Sequence, residues 1–541
     1  MVFRHMGPPL GALALLAALT TAASAQEETA TPPRLPLPVE TQELRQLDAW
    51  TVGALSRNEG MAPELWSRSD PAFLATLFDR LPTVYESPAV QSLALRVLLS
   101  SGEAPPGEAQ PAARKRFEAL GRMGAADSLA NMAAGAGAAL SDPAIAQYAA
   151  QAELARGRRT EACQRGRAAP VDPPSPFFLR LRAFCAAAAG DRPAAELALE
   201  LARSGGADDA WYTGAVAAAG GAPGARPPTA RYDNSLNVQL SIAAGLRPGP
   251  TPLNNASSLA LVALARNETA PQPARAQAAA LSFRRGGISA ADARTILLAT
   301  PPEITSGLPP IVVALRQVQA TPGTLEAATA IAGELRRATT PGDFAAASRF
   351  FRADIAALTT APDPSAALMF ARAALAAGDA ELSARLLQSA SATGLTQASL
   401  APLGAALAVA QNVRGNRARA AVAERISGAG ASLARAGARD VAIMAAMGFP
   451  TDGAAQTFLL ANPPQGGVRA EPGAMAALGA AIARRAPGEA ALLAVVAAGN
   501  GPGTLDADSV CEIIRTLRAL QLEDEARRFA VEALLAGQPA A

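Results

Sequence analysis

From Thr41 onward, apolar residues recur at spacings of three and four, and Gly, Pro, Asp or Asn interrupts the pattern about every 12 to 20 residues. A strand needs alternation with period two, and the Val and Ile here are too scattered to supply it. The pattern predicts an all-α chain of short amphipathic helices. Its 541 residues exceed what one hydrophobic core organises, which leaves several domains or one long stack of helical units. Half of the residues are apolar but only 4% are aromatic, so the apolar content is largely alanine. Alanine has the highest helix propensity and buries little area per side chain, which favours many closely spaced helices over a thick core.

The clearest unit spans 177–203, FFLRLRAFCAAAAGDRPAAELALELAR. A first helix runs to about Ala189, Gly190 and Asp191 make the turn and the next N-cap, Pro193 suits an early helical position, and Ala194 to Ala202 form the second helix. The same hairpin form recurs at 145–166 with its turn at Gly157, at 366–390 with its turn at Gly378-Asp379, and at 510–535 with its turn near Leu522. Taking the turn glycine as reference, small residues fall where paired helices cross: Ala183, Ala195 and Ala202 in one unit, Ala371 and Ala390 in another. In this the chain resembles the tetratricopeptide repeat and its Sel1-like relatives, although Leu or Ala replaces most of the family's aromatic positions and its period of 34 residues is not kept. The resemblance implies an α-solenoid of helical hairpins, a degenerate form of that repeat, serving protein binding. The longer arrangement, with Leu65-Trp66, Ser87-Pro88, the Cys163 and Cys185 hairpins and the terminal LRALQLEDEARRFAVEALL, resembles alphaproteobacterial periplasmic proteins; that resemblance implies no activity.

The first 25 residues have the three parts of a secretory signal: Arg4 as the positive region, an apolar core over 11–23, and Ala23-Ser24-Ala25 as the small-residue cleavage motif before Gln26. The apolar stretch is shorter than the ~20 residues of a membrane span. We therefore expect a signal peptide at 1–25, a Pro-rich linker at 26–40, N-terminal helical repeats at 41–219, a middle helical segment with Gly/Pro loops at 220–310, and C-terminal repeats at 311–541. The expected location is the periplasm, or outside the cell, with no membrane span in the mature chain.

Two compositional facts restrict the chemistry. The single histidine is His5, inside the expected signal, so a chain cleaved after Ala25 has no imidazole for Ser-His-Asp or Cys-His catalysis or for a His-ligated metal. Lys115 is the one lysine, so amine chemistry has one candidate at most. The formal charge of +2 offers no field that would gather nucleic acid. We expect no cofactor, no metal site and no catalytic residue.

Cys163 and Cys185 stand at similar distances from the loop joining their helices, at roughly 9 and 12 Å along the axes at 1.5 Å per residue. A structural disulfide fits, with two unpaired buried thiols as the alternative; the spacing is unlike Cys-x-x-Cys. Cys511 reads as a small buried hydrophobe. Arg114-Lys115-Arg116 reads as a solvated helix face opposite Phe117 and Leu120. Glu86-Ser87 matches the glutamate-serine pair of lytic transglycosylases, but their downstream motif is absent and Ser87-Pro88 reads as a helix N-cap and first turn. Trp50, Trp66, Trp211 and Tyr212 read as knobs between helices. Alternatively, Trp211 and Tyr212, beside Asp208-Asp209, face a groove whose arginine rows include Arg180 and Arg182.

The function expected is therefore non-catalytic: a periplasmic helical-repeat protein binding or scaffolding an envelope protein or peptide. The alternative is a carboxylate-only glycan lyase or hydrolase acting on the cell wall, for which two carboxyls ~5 to 9.5 Å apart would be needed.

Overall fold

In the computed structural model, the described residues are 48–56, 58–169, 175–222, 227–392 and 394–537. The expected signal peptide, with His5, and the Pro-rich linker lie outside them. The described residues form 27 α-helices and one 3₁₀ turn, with no strand; helix makes up 66% of the structure.

The helices begin where the sequence supplies caps. Asp70 accepts from the N–H of Phe73, Ser87 from Val90, Asp191 from Ala194, Asp363 from Ala366 and Asp379 from Leu382. Proline stands at the first or second helical position after Asp70, Ser87, Asp191 and Asp363, where no N–H is needed. Helix pairs follow at each expected hairpin: Pro143–Ala155 with Arg159–Ala168, Pro176–Ala188 with Arg192–Ser204, Pro364–Ala376 with Ala380–Ser391, and Ala507–Ala519 with Glu523–Ala536. Gly190 and Gly378 turn the chain at φ +78° and +82°, conformations that side chains resist. The last pair lacks such a glycine, and Gln521 takes φ +62° instead. Ala183, Ala195, Ala202, Ala371 and Ala390 are all buried, so paired helices approach closely.

Packing follows chain order through most of the structure, each helix lying against the next. A smaller core gathers Phe178, Phe184, Trp211, Tyr212, Leu236 and Leu240; a larger one runs from Ala49 to Leu535. The larger core joins sequence-distant helices. Pro88–Leu99 packs on Pro487–Ala498 and Glu523–Ala536, and Pro71–Arg80 also packs on Pro487–Ala498.

Hydrogen bonds stitch this seam. The Gly488 N–H donates to the Leu65 carbonyl at 3.1 Å, the Asp70 N–H to Glu489 at 2.7 Å, and Arg528 to the Ser92 hydroxyl at 3.1 Å. Glycine is required at 488, since a Cβ there would lie 2.6 Å from the Leu65 oxygen and 2.7 Å from the Trp66 ring. Strict nearest-neighbour contact is therefore absent where early and late helices meet.

Candidate functional site

Cys163 and Cys185 form a disulfide, with their Cα atoms 5.9 Å apart. Cys511 is buried against apolar neighbours, and burial raises its thiol to about pKa 11.

Of the four residues read as a possible groove, Trp211 and Tyr212 belong to the smaller core and Arg180 and Arg182 lie beside it. Arg180 donates to the Ala207 carbonyl and stacks on Tyr212, with 4.4 Å from guanidinium carbon to ring centroid. Arg182 donates to the carbonyls of Gly166 and Ala169 at 2.8 and 3.0 Å, near the end of the preceding helix. Trp211 is buried and donates its indole N–H to Thr229 O at 2.8 Å, while Arg231 covers its ring at 4.7 Å. The buried Tyr212 hydroxyl donates to the side-chain oxygen of Asn237. These groups meet partners within the fold, so Arg180, Tyr212 and Trp211 come together while Arg182 caps a neighbouring turn.

The expectation of a solvated face at Arg114-Lys115-Arg116 is corrected at Arg116, which is 0% exposed. Its guanidinium donates to the carbonyls of Ala49, Leu98, Val52 and Ser100 and lies 5.9 and 5.7 Å from the Trp50 and Trp66 ring centroids. Burial lowers its pKa to about 9, still well above neutrality, so the group stays charged. The helix phase explains the burial: Ala112, Arg116 and Leu120 follow at intervals of four and share the inner face of Gln110–Met123. Arg114 and Lys115 turn outward, pairing with Asp142 and Asp79 respectively.

Glu86 sits beside a second carboxylate, Asp343, and shares both Arg284 and the Thr340 hydroxyl with it. Arg284 donates to both its oxygens at 3.1 and 3.2 Å and also bonds Asp343, while the Thr340 hydroxyl donates to Glu86 at 3.0 Å. Ser87, next to it, caps the following helix.

The most chemically distinctive concavity lies at the seam. A cavity of about 510 Å³ opens between Pro88–Leu99, Pro341–Phe350, Pro364–Ala376 and Glu523–Ala536. Four arginines, Arg349, Arg372, Arg527 and Arg528, line it with two carboxylates, Asp524 and Glu532. Its apolar wall includes Phe344, Leu375, Val531 and Leu535. The volume falls in the range of small-ligand sites, roughly 300–1,000 Å³.

The polar groups are unequally satisfied. Arg372 donates to the Leu535 carbonyl at 3.0 Å and its guanidinium carbon sits 4.9 Å from the Phe344 centroid, but its buried Nε–H has no acceptor. Arg527 pairs with Asp524 at 2.9 Å, and its buried Nε–H also lacks an acceptor. Arg349 makes no hydrogen bond or ion pair among the described residues; its nearest aromatic partner is Phe283, with the centroid at 6.0 Å. Burial moves the carboxyl of Glu532 up to about pKa 7, against the opposing pull of the Ser87 hydroxyl, the Ala89 N–H and the Arg349 charge. The Ala89 N–H donates to Glu532 at 3.0 Å.

Sequence reasoning did not reach this constellation. The available signal was local: Arg528 and Glu532 lie four apart on one helix face, beside Val531 and Leu535, and Arg372 interrupts the apolar run MFARAALA. Nothing local brought the four helices together.

No protein-family model matches the chain, no curated protein matches it, and no solved structure matches it. Among the described residues, no helix is long and apolar enough to cross a membrane. No group of three or more His, Cys, Asp or Glu among them is placed to hold a metal ion.

Proposed function

We propose that the chain is an exported, non-catalytic binding protein: a degenerate tetratricopeptide-like solenoid whose ends meet at the seam, holding a segment of an envelope protein or peptide. Export rests on the signal-like first 25 residues, and the repeat reading on the hairpin succession with buried alanines at the helix crossings. The observation that carries binding is the seam cavity, whose lining combines the unpartnered Arg349 guanidinium with an apolar wall.

A photocrosslinking amino acid at Ala376, which lines the cavity, tests this in intact cells. Adducts with a defined envelope protein are expected from that position and not from the exposed Arg417; their absence from Ala376 overturns the reading. Fractionation with N-terminal sequencing tests export, with the mature chain expected to begin at Gln26 in the periplasmic or culture fraction.

One observation favours the second reading, a carboxylate-only cell-wall lyase or hydrolase. Glu532, titrating near neutrality in the cavity, has the proton affinity of a general acid. Release of soluble fragments from purified cell wall, abolished by Glu532→Gln, would establish that activity; an unchanged digest removes it.

A further inference from the structure

We infer that the seam cavity recognises a carboxylate joined to an aliphatic body; this deepens the binding reading above by naming the chemistry of the ligand. The argument starts from donors. A guanidinium carries five N–H donors and cannot shed its charge at ordinary pH. A guanidinium that lines a cavity without a hydrogen-bonding partner leaves donors for an acceptor to meet. The Arg349 head is such a group: it lines the cavity and makes no hydrogen bond or ion pair among the described residues.

Charge narrows the class. Four guanidinium groups face two carboxylates, and Asp524 is committed to Arg527, so the lining carries excess positive charge. Glu532 opposes a multiply charged ligand in its ionised form and makes a single negative charge the better match. Planar carboxylates take two parallel N–H bonds from one guanidinium, which Arg349 is free to offer.

The apolar wall then specifies what carries the acid. Phe344, Leu375, Val531 and Leu535, from three helices, all line the cavity, and a bare inorganic anion would leave them uncovered. A neutral aliphatic molecule would cover that wall and leave the guanidinium donors unmet. Only a molecule with both parts satisfies the whole cavity. Such a carboxylate occurs on a free fatty acid or at the C-terminus of an apolar peptide.

Isothermal titration of the purified chain with four probes tests the inference: decanoate, decanol, the free acid acetyl-Leu-Leu-Ala, and the same peptide as its C-terminal amide. At least one acid is expected to bind, with its neutral counterpart at least about tenfold weaker. Binding confined to decanoate identifies the fatty-acid source, and binding confined to the peptide acid identifies the C-terminus. Arg349→Gln and Arg372→Gln should each abolish the acid-over-neutral preference, while the exposed Arg417→Gln retains it. Ala376→Leu, which fills the cavity and keeps every charge, should weaken the acid about tenfold; each variant is checked for an unchanged melting temperature. Failure of both acids to bind, equal affinity for acid and neutral probes, or a preference that survives in Arg349→Gln overturns the inference. Acid binding without crosslinks in cells would leave the cavity's chemistry standing and remove the protein-holding role.

Discussion

Arg96, on the second helix of the described fold, donates to Glu525 on the last helix at 2.6 Å, across 429 residues of chain. The pair is lopsided: the Glu525 side chain is 3% exposed and that of Arg96 26%. Removing the arginine leaves a buried carboxylate whose next cation, Arg528, stands 3.9 Å away. Arg96→Ala should therefore lower stability by about 2–3 kcal/mol, short of the 3–5 typical of fully buried pairs because one partner is already partly solvated. Urea unfolding measures it, and Glu525→Gln in the same background should recover part of the loss.

Arg116 is a heavier wager. Replacing it with Met keeps the volume but strips four buried carbonyl oxygens of their donor. We expect a loss of at least about 4 kcal/mol, and Arg116→Lys should rescue little, since one ammonium cannot reach all four. A denaturant midpoint equal to that of the unaltered chain would contradict the account.

The Cys163–Cys185 bridge closes a loop over a sequence separation of 22. In the chain-entropy description it contributes about 3 kcal/mol. Reduction should accelerate amide hydrogen exchange in Pro176–Ala188 and Arg159–Ala168 and leave Pro487–Ala498, in the other core, unchanged. Uniform acceleration in all three helices would mean that the two cores do not loosen separately.

Glu532 gives a pH dependence of definite sign. Its carboxyl titrates near 4.5 in the ordinary case and at about 7 in the folded chain, so folding tightens its hold on the proton. The associated stability is fully present below pH 4.5 and is lost as pH rises through 7. Glu532→Gln keeps an acceptor for the Ala89 N–H and removes the titration. Relative to the unaltered chain, the variant should gain about 2–3 kcal/mol between pH 4.5 and 8. A flat difference across that window would refute a buried, proton-retaining Glu532.

The helical character was legible because it is a local property: caps such as Asp191 and Asp379, proline at early positions and glycine turns at 190 and 378 all act within a few residues. Arg116 was misplaced although its helix phase was available, because a run of three basic residues suggested solvent while positions 112, 116 and 120 pointed inward. The seam was not legible. Alanine-rich faces are nearly interchangeable, and nothing in Pro88–Leu99 singles out Pro487–Ala498 as its partner over helices closer in sequence. The cavity inherits that blindness, since Ala89, Arg349, Arg372 and Glu532 become neighbours only once the seam exists.

Because Leu65 must find Gly488 and Arg96 must find Glu525, the first helices made during synthesis have no finished surface to settle on until almost the whole chain has left the ribosome. Contacts of such long sequence separation slow folding and leave apolar faces bare in the interval. Loss of Pro487–Ala498 should therefore be felt not only at its own place in the chain but at Trp66 and along Pro71–Arg80, whose surroundings would lose the late-arriving wall.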